Sequence, residues 1–184
     1  QILITILTTT TLVKEKEKGT LEVLITTPVK RYELIMGKLV PYIIIAFIDV
    51  IMVLTLGAVI FKVRIAGSLL ELLLLSFLFL CGSLGLGLFI SSVAQNQYQA
   101  FQMLMPIFPL SVLLSGFIFP REAMPAILYY LGYIVPLTYF LTILRGIMLK
   151  GIGVEFLYPE VIALTIYTVF FVSLSILTFK KKIQ

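Results

Sequence analysis

The chain has 184 residues, of which 60% are hydrophobic and 12% charged, and its mean hydropathy is +1.13. Soluble domains are typically about 45–50% apolar and about 25% charged, so a water-soluble globular domain is excluded. The chain has no His, no Trp and one Cys, so zinc sites, histidine general-base catalysis and disulfide scaffolds lack the residues they need. The net charge of +5 comes from Lys and Arg scattered between apolar runs, which indicates membrane topology and argues against nucleic-acid binding.

Four segments are long and apolar enough to cross a bilayer, for which a helix needs about 20 mainly apolar residues. They are residues 39–61, 69–93, 100–119 and 158–179. Residues 1–13 are apolar but too short, and we expect them to be the end of a truncated span. A signal peptide would place its charges ahead of the apolar run, whereas here they follow it. No repeat or linker is visible, so we expect residues 1–184 to form one all-α, polytopic integral membrane domain.

The loop at residues 14–38 is too long and too patterned to be a simple connector. Gly19 can end the incoming helix, and Thr27 followed by Pro28 is typical of a helix start. Between them lies a short apolar segment made of Leu21, Val23, Leu24 and Ile25. We therefore expect a short helix on the membrane surface. It is either an interfacial anchor or a docking element for a cytoplasmic partner.

Three glycine patterns fail as nucleotide-binding motifs. A P-loop ending at Gly37-Lys38 would need Gly and Ser or Thr where this chain has Tyr32 and Leu39. The pairs at residues 85 and 87 and at residues 151 and 153 lack the third glycine of a dinucleotide fingerprint. We therefore expect no catalytic residues, no metal and no cofactor in this chain.

Asp49, ten residues into its apolar segment, is the carboxylate nearest to mid-membrane depth. An ionisable group there is a functional candidate, and it must face protein or a cavity because exposure of a carboxylate to hydrocarbon is expensive. The alternative is a structural Asp49 that is protonated or hydrogen-bonded to a Ser or Thr of a neighbouring helix. Asp49→Asn should be tolerated better than Asp49→Leu if hydrogen bonding is its role.

Small residues recur along the segment at 69–93, where Ser83, Gly87 and Ser91 are four residues apart with Gly82 and Gly85 beside them. Such a stripe lets another helix backbone approach closely. The stripe serves either packing within the bundle or a subunit interface. Cys81 lies at its edge, and we interpret it as a small buried apolar residue.

Pro106 and Pro109 lie in the middle of the segment at 100–119. Proline removes a backbone donor and kinks a helix, and broken helices occur at membrane depth where they are buried in protein or line a cavity. Together with Asp49, these prolines are candidates for a transport pathway or for helix packing.

Residues 120–157 contain two apolar stretches divided by Pro136, each too short to cross alone. They form either a re-entrant hairpin or one kinked span. A hairpin divides the basic residues nine against five, whereas a span divides them seven against six and leaves Arg145 within the membrane. The hairpin is therefore favoured, with residues 14–38 and the C-terminus cytoplasmic and residues 120–157 outside. The nine are Lys14, Lys16, Lys18, Lys30, Arg31, Lys38, Lys180, Lys181 and Lys182, and the five are Lys62, Arg64, Arg121, Arg145 and Lys150.

Two separate motifs resemble those of type 2 ATP-binding-cassette (ABC) exporter permeases. The stretch EKEKGTLEVLITTPVKRYELIMGK is similar to the first cytoplasmic loop of that family, matching at Glu15, Gly19, Thr20, Leu21, Glu22, Leu24, Thr27, Pro28, Gly37 and Lys38. The stretch after the fifth span of the family is also matched, at Ser115, Gly116, Pro120, Met124, Pro125, Pro136, Leu137, Thr138, Tyr139, Arg145 and Gly151. The resemblance covers nearly the whole chain, from the end of the second span through the sixth.

This resemblance implies a function and a set of partners. Residues 20–27 would be the coupling helix that docks on an ATPase subunit, and residues 121–149 would be re-entrant helices capping the exit. The permease would work as a homo- or heterodimer in a bacterial or archaeal cell membrane, with ATP and Mg²⁺ bound by the ATPase. The residues that would carry these roles are Gly19, Thr20, Leu21, Glu22, Leu24, Thr27 and Pro28 for coupling, and Pro120, Pro125, Pro136, Tyr139 and Arg145 for the cap.

Two other classes fit the residues less well. A membrane enzyme would need polar catalytic groups gathered at one face, and the nine acidic residues are scattered. A secondary transporter or channel that uses Asp49 would be expected to show paired half-repeats or several intramembrane charges.

Overall fold

The computed structural model describes residues 1–18, 31–60, 62 and 66–181, which form helices joined by turns. The α-helices are α1 (Ile2–Glu17), α2 (Arg31–Ile60), α3 (Leu69–Val93), α4 (Gln97–Leu114), α5 (Ala126–Leu131), α6 (Pro136–Lys150) and α7 (Tyr158–Lys181). Three short 3-10 helices lie at Arg121–Ala123, Gly132–Ile134 and Val154–Phe156. The expected all-helical membrane fold is confirmed. The predicted coupling segment at residues 20–27 lies outside the described residues.

Three described helices are long and apolar enough to cross a membrane: Leu39–Ile60, Leu69–Val93 and Tyr158–Thr178. They fall on three of the four segments expected from the sequence. The fourth, expected at residues 100–119, differs. Its helix α4 runs from Gln97 to Leu114, and the chain then turns at Gly116, whose φ of 81° is a left-handed value that favours glycine. Pro106 and Pro109 lie inside α4, which remains helical through both.

Helix α3 is the centre of the bundle, and α1 packs along one of its faces. The Thr5 hydroxyl donates to the Ser83 carbonyl at 3.3 Å, and the Thr9 hydroxyl donates to the Gly87 carbonyl at 3.0 Å. Nearer the end of both helices, Lys16 Nζ donates to the Ala94 carbonyl at 2.6 Å. Each pair is separated by 78 residues, so α1 and α3 run parallel in a fixed register.

Helix α7 packs along a second face of α3, again in parallel. The Thr168 hydroxyl donates to the Leu78 carbonyl at 3.3 Å. A Cβ on Gly82 would lie 2.7 Å from the Thr168 hydroxyl oxygen. A Cβ on Gly85 would lie 3.0 Å from the backbone nitrogen of Val172. Both glycines therefore let α7 approach α3 closely.

The small-residue stripe thus serves packing within the chain. A Cβ on Gly87 would lie 3.1 Å from the Thr5 carbonyl oxygen and 3.2 Å from Thr8 Cβ, so this position faces α1 while residues 82 and 85 face α7. Of the two interpretations left open by the sequence, the described contacts support packing inside the bundle.

Helix α6 runs antiparallel to α3 and covers only its first half. The amide of Ala66 donates to the Met148 carbonyl at 3.1 Å, whereas eight residues back along α6 the ring of Phe140 stacks on Phe79 with centroids 4.2 Å apart. Glu71, in the first turn of α3, accepts a hydrogen bond from the amide of Val154. The segment from Gly116 to Tyr158 therefore returns to the end of the bundle where α3 begins.

We expect Gly87→Leu to destabilise the fold, because the added side chain would have to displace the backbone of α1. Overpacking of this kind typically costs about 1–3 kcal/mol. Gly57→Leu in α2 is the matched control, since a Cβ at Gly57 would meet nothing within 4 Å. Thermal unfolding of both variants in detergent measures the difference. Equal unfolding temperatures would contradict the close approach of α1 and α3.

Candidate functional site

A polar cavity of about 460 Å³ lies where the end of α4, the helices α5 and α6 and the first turn of α7 meet. It is at the end of the bundle where α3 begins. Four of its side chains carry charge, and tyrosines and hydroxyl groups supply most of the remaining polar surface. The lining residues are Ser115, Gly116, Phe117, Ile118, Pro120, Arg121, Glu122, Tyr129, Tyr133, Thr138, Tyr139, Leu141, Thr142, Arg145 and Glu160.

Arg121 holds the wall of this cavity together. Its guanidinium carbon lies 4.6 Å from the ring centre of Tyr129 and 4.4 Å from that of Tyr133, within the range of cation–π interactions. The same guanidinium donates to the Tyr129 carbonyl at 3.1 Å. Its Nε is buried without a hydrogen-bond partner among the described residues. Arg121 therefore fixes the 3-10 turn at Arg121–Ala123 against the first hairpin helix.

The break between the two hairpin helices is stabilised by side-chain hydroxyls. The two segments Ala126–Ile134 and Pro136–Lys150 meet at 88°. At this corner the Thr138 hydroxyl donates to the Gly132 carbonyl at 2.7 Å, and the Tyr139 hydroxyl donates to the Tyr133 carbonyl at 2.7 Å. Carbonyls released by the sharp turn are thus satisfied internally, as a low-dielectric environment requires.

Arg145 links the second hairpin helix to the end of α4. Its guanidinium donates to the Gly116 carbonyl at 2.9 Å, across 29 residues of sequence. The other charged residues of the cavity are Arg121, Glu122 and Glu160. Within the part of the chain that the structure describes, no salt bridge joins these four side chains. The cavity therefore offers both signs of charge.

At the opposite end of the bundle, α1 is fastened to the corner between α3 and α4. Glu17 accepts hydrogen bonds from the backbone amide of Gln97 at 2.8 Å and from its side-chain amide at 2.6 Å. Asn96 caps α4 by accepting from the amide of Gln99 at 2.8 Å. Hydrogen bonds from the side chain and then the backbone of Gln97 hold the pKa of the Glu17 carboxyl below its usual value.

The family model of the ABC-2 type transporter matches residues 1–149. The chain belongs to this family. It is 37% identical over 180 residues to the probable multidrug ABC transporter permease YbhS of Escherichia coli K12, covering 97% of the chain and 48% of that relative. It is 30% identical over 179 residues to the probable multidrug ABC transporter permease YbhR of the same organism, covering 97% and 49%. A third relative, the E. coli inner membrane transport permease YhhJ, is 28% identical over 181 residues, covering 97% and 48%.

The chain therefore spans about half the length of these relatives. No solved structure matches it significantly. The resemblance inferred from the two motifs is confirmed, because one of them lies wholly within the matched residues and the second lies within them except for Gly151.

Of the residues predicted for the cap of this ABC-2 chain, the structure brings three into one cavity: Pro120, Tyr139 and Arg145. The other two, Pro125 and Pro136, lie at the starts of helices. Pro125 immediately precedes α5 and Pro136 is the first residue of α6, where proline fits because the first helical turn lacks amide partners.

The pathway candidates of the ABC-2 chain lie away from the cavity. Asp49 is partly exposed on α2, beside Phe47 and Val50, which pack against the core. Pro106 and Pro109 are exposed on α4. The orientation predicted for Asp49, toward protein or a cavity, stays a prediction.

Arg121 and Glu160 are two of the cavity residues that the sequence reasoning missed. Arg121 was counted only as a topological charge, although its place directly after Pro120 and before tyrosines at 129 and 133 is a signal for stacking. Glu160, in the first turn of α7, gave no signal, because it reaches the cavity through the packing of α7 on α3.

The Glu17–Gln97 contact should make stability depend on pH. A folded-state pKa below the usual value of about 4.3 means that the contact stabilises the fold above that pH and is lost as the pH falls through the lowered pKa. Gln97→Ala should therefore lower the unfolding temperature at pH 7 and have less effect at pH 3. The lysines on α1 stay charged throughout this range. An equal effect of the variant at both pH values would contradict the contact.

Proposed function

We propose that this chain is part of the membrane-spanning permease of an ABC exporter, which moves substrate across the cell membrane with ATP hydrolysed by a separate ATPase subunit. The observation that carries the proposal is the family match over residues 1–149, together with three apolar helices of crossing length among the described residues. The names of the E. coli relatives, which call two of them probable multidrug permeases, support it. In this proposal ATP and Mg²⁺ bind the ATPase, and this chain needs no cofactor.

We further propose that the permease lies in the membrane with its lysine-rich end in the cytoplasm. Since α1, α3 and α7 run parallel, Lys14, Lys16 and Lys18 lie at the same end as residues 180 and 181. The hairpin, with Arg121, Arg145 and Lys150, lies at the other end. The asymmetry follows the rule that short cytoplasmic loops carry the excess of basic residues. The hairpin would then be re-entrant and outside.

The fastened corner at Glu17 supports a coupling role for the segment that follows it. The residues proposed to dock on the ATPase, Gly19 to Pro28, begin two positions after Glu17. Because Lys16 and Glu17 bond to Ala94 and Gln97, a displacement of the end of α1 would act directly on the α3–α4 corner. An ATPase movement that displaces the end of α1 would thereby reach the centre of the bundle.

The proposal includes a second permease subunit and a bacterial or archaeal cell membrane as the location. The chain spans half of each relative, so the complete subunit would contribute further spans, and two subunits would enclose the pathway. The family match favours this ATP-driven mechanism over a secondary transporter or channel that uses Asp49.

We expect Glu22→Arg, introduced into the full-length permease, to lower ATPase association or to uncouple hydrolysis from transport. A docking helix would offer apolar anchors to a groove and would place Glu22 against a basic residue of the ATPase. If the segment were only a membrane anchor, the charge of Glu22 would affect neither ATPase association nor coupling. Copurified ATPase and substrate-stimulated hydrolysis are measured for the variant.

Glu155→Arg is the matched control, because Glu155 is exposed in the 3-10 helix at the opposite end of the bundle. It should leave association and hydrolysis unchanged. If Glu22→Arg behaves like this control, the segment is an interfacial anchor and the coupling part of the proposal is wrong.

A further inference from the structure

The cavity at the hairpin end carries two arginines and two glutamates, a balanced set with no salt bridge between them among the described residues. Opposite charges gathered in one small space normally pair, because pairing offsets the loss of hydration. Here Arg145 lies on α6 and Glu160 lies on α7, whereas Arg121 and Glu122 share the 3-10 helix Arg121–Ala123. The cavity therefore holds separate positive and negative positions.

The positive position centres on Arg145. An arginine has five N–H donors, and the described hydrogen bond to the Gly116 carbonyl uses one of its nitrogens. The side chain is otherwise exposed, so donors remain for an anion in the cavity. Guanidinium groups bind phosphate in a two-pronged manner, which makes a phosphate ester a suitable anion.

The negative position centres on Glu160, which lines the cavity from the first turn of α7 and is only partly exposed. Tyr139 also lines the cavity and interacts electrostatically with both Arg121 and Glu160. A simple anion would be repelled by the glutamates, and a simple cation would be repelled by the arginines. A ligand that carries both charges satisfies the whole cavity.

The rim of the cavity is apolar. Phe117 and Ile118 line it while remaining 61% and 58% exposed, and the adjacent Phe119 is 54% exposed. A polar interior beside an exposed apolar surface suits an amphiphile, whose head group enters and whose chains lie on the rim. The volume of about 460 Å³ is in the range of small-molecule sites.

We propose that this cavity binds the zwitterionic head group of a phospholipid, with its phosphate on Arg145, its ammonium on Glu160 and its acyl chains over Phe117 and Ile118. The proposal goes beyond transport, since binding requires neither ATP nor an ATPase. A soluble zwitterion such as free phosphoethanolamine shares the head-group chemistry, but it would gain nothing from the apolar rim.

The test is lipid binding to the delipidated full-length permease, followed by native mass spectrometry. The probes are dioleoyl phosphatidylethanolamine, the anionic dioleoyl phosphatidylglycerol and free phosphoethanolamine. Arg145→Gln should weaken binding of both lipids about tenfold, the size expected for one charge-assisted phosphate contact. Glu160→Gln should weaken only the zwitterionic lipid by a similar factor. Lys150→Gln and Glu155→Gln, at the same end but outside the cavity, are the matched controls.

Each outcome decides the proposal. Loss of zwitterionic selectivity in Glu160→Gln, with both controls unchanged, supports it. If the wild type, Arg145→Gln and Glu160→Gln all bind the zwitterionic lipid equally well, the proposal is overturned. If free phosphoethanolamine binds as tightly as the lipid, the proposal of a phospholipid ligand is overturned, and the cavity binds a soluble zwitterion instead. Since Arg145 also bonds Gly116, the Glu160 variant provides a test that does not remove a described hydrogen bond.

Discussion

The structure depends on close backbone contact around α3. Between helices in a membrane, apolar burial provides little driving force because lipid tails are as apolar as leucine, so association relies on packing and interhelical hydrogen bonds. Gly82, Gly85 and Gly87 remove the side chains that would separate the helices. The hydroxyls of Thr5, Thr9 and Thr168 then reach carbonyls of α3. Larger residues at these glycines would push α1 or α7 outward. Loss of the hydroxyls would remove hydrogen bonds that fix the register between the parallel helices.

This register determines where the polar groups lie. With α1 and α7 parallel to α3, the lysine-rich ends and the Glu17 corner are together at one end, and α5 and α6 pack at the other. The hairpin is held there by the core of Leu72, Leu75 and Ile147 and by the Phe79–Phe140 stack. The cavity lies between the end of α4 and the sharply bent pair formed by α5 and α6. Its polar side chains then satisfy the carbonyls that the bend releases.

Much of this could be predicted from the sequence, but not all. Runs of apolar residues predicted four crossing helices, and three of them coincide with described helices of crossing length. The end of α4 could not be predicted, because residues 115–119 are as apolar as a helix and only the left-handed Gly116 reveals the turn. The small-residue stripe was visible, whereas its partners were not, since a contact across 78 residues leaves no local pattern. The cavity was missed for the same reason: Arg121, Arg145 and Glu160 come from three separate helices.

In the proposed topology, the segment from Gly116 to Tyr158 begins and ends on the outer side of the membrane, and the C-terminal end of α1 lies on the cytoplasmic side. Single cysteines at Gly153, where a Cβ meets nothing within 4 Å, and at the exposed Lys18 test it in a Cys81→Ala background. With a membrane-impermeant thiol reagent applied to intact cells, the account predicts that Gly153→Cys is labelled from outside and Lys18→Cys only after the membrane is opened. Labelling of both positions from the same side would contradict it.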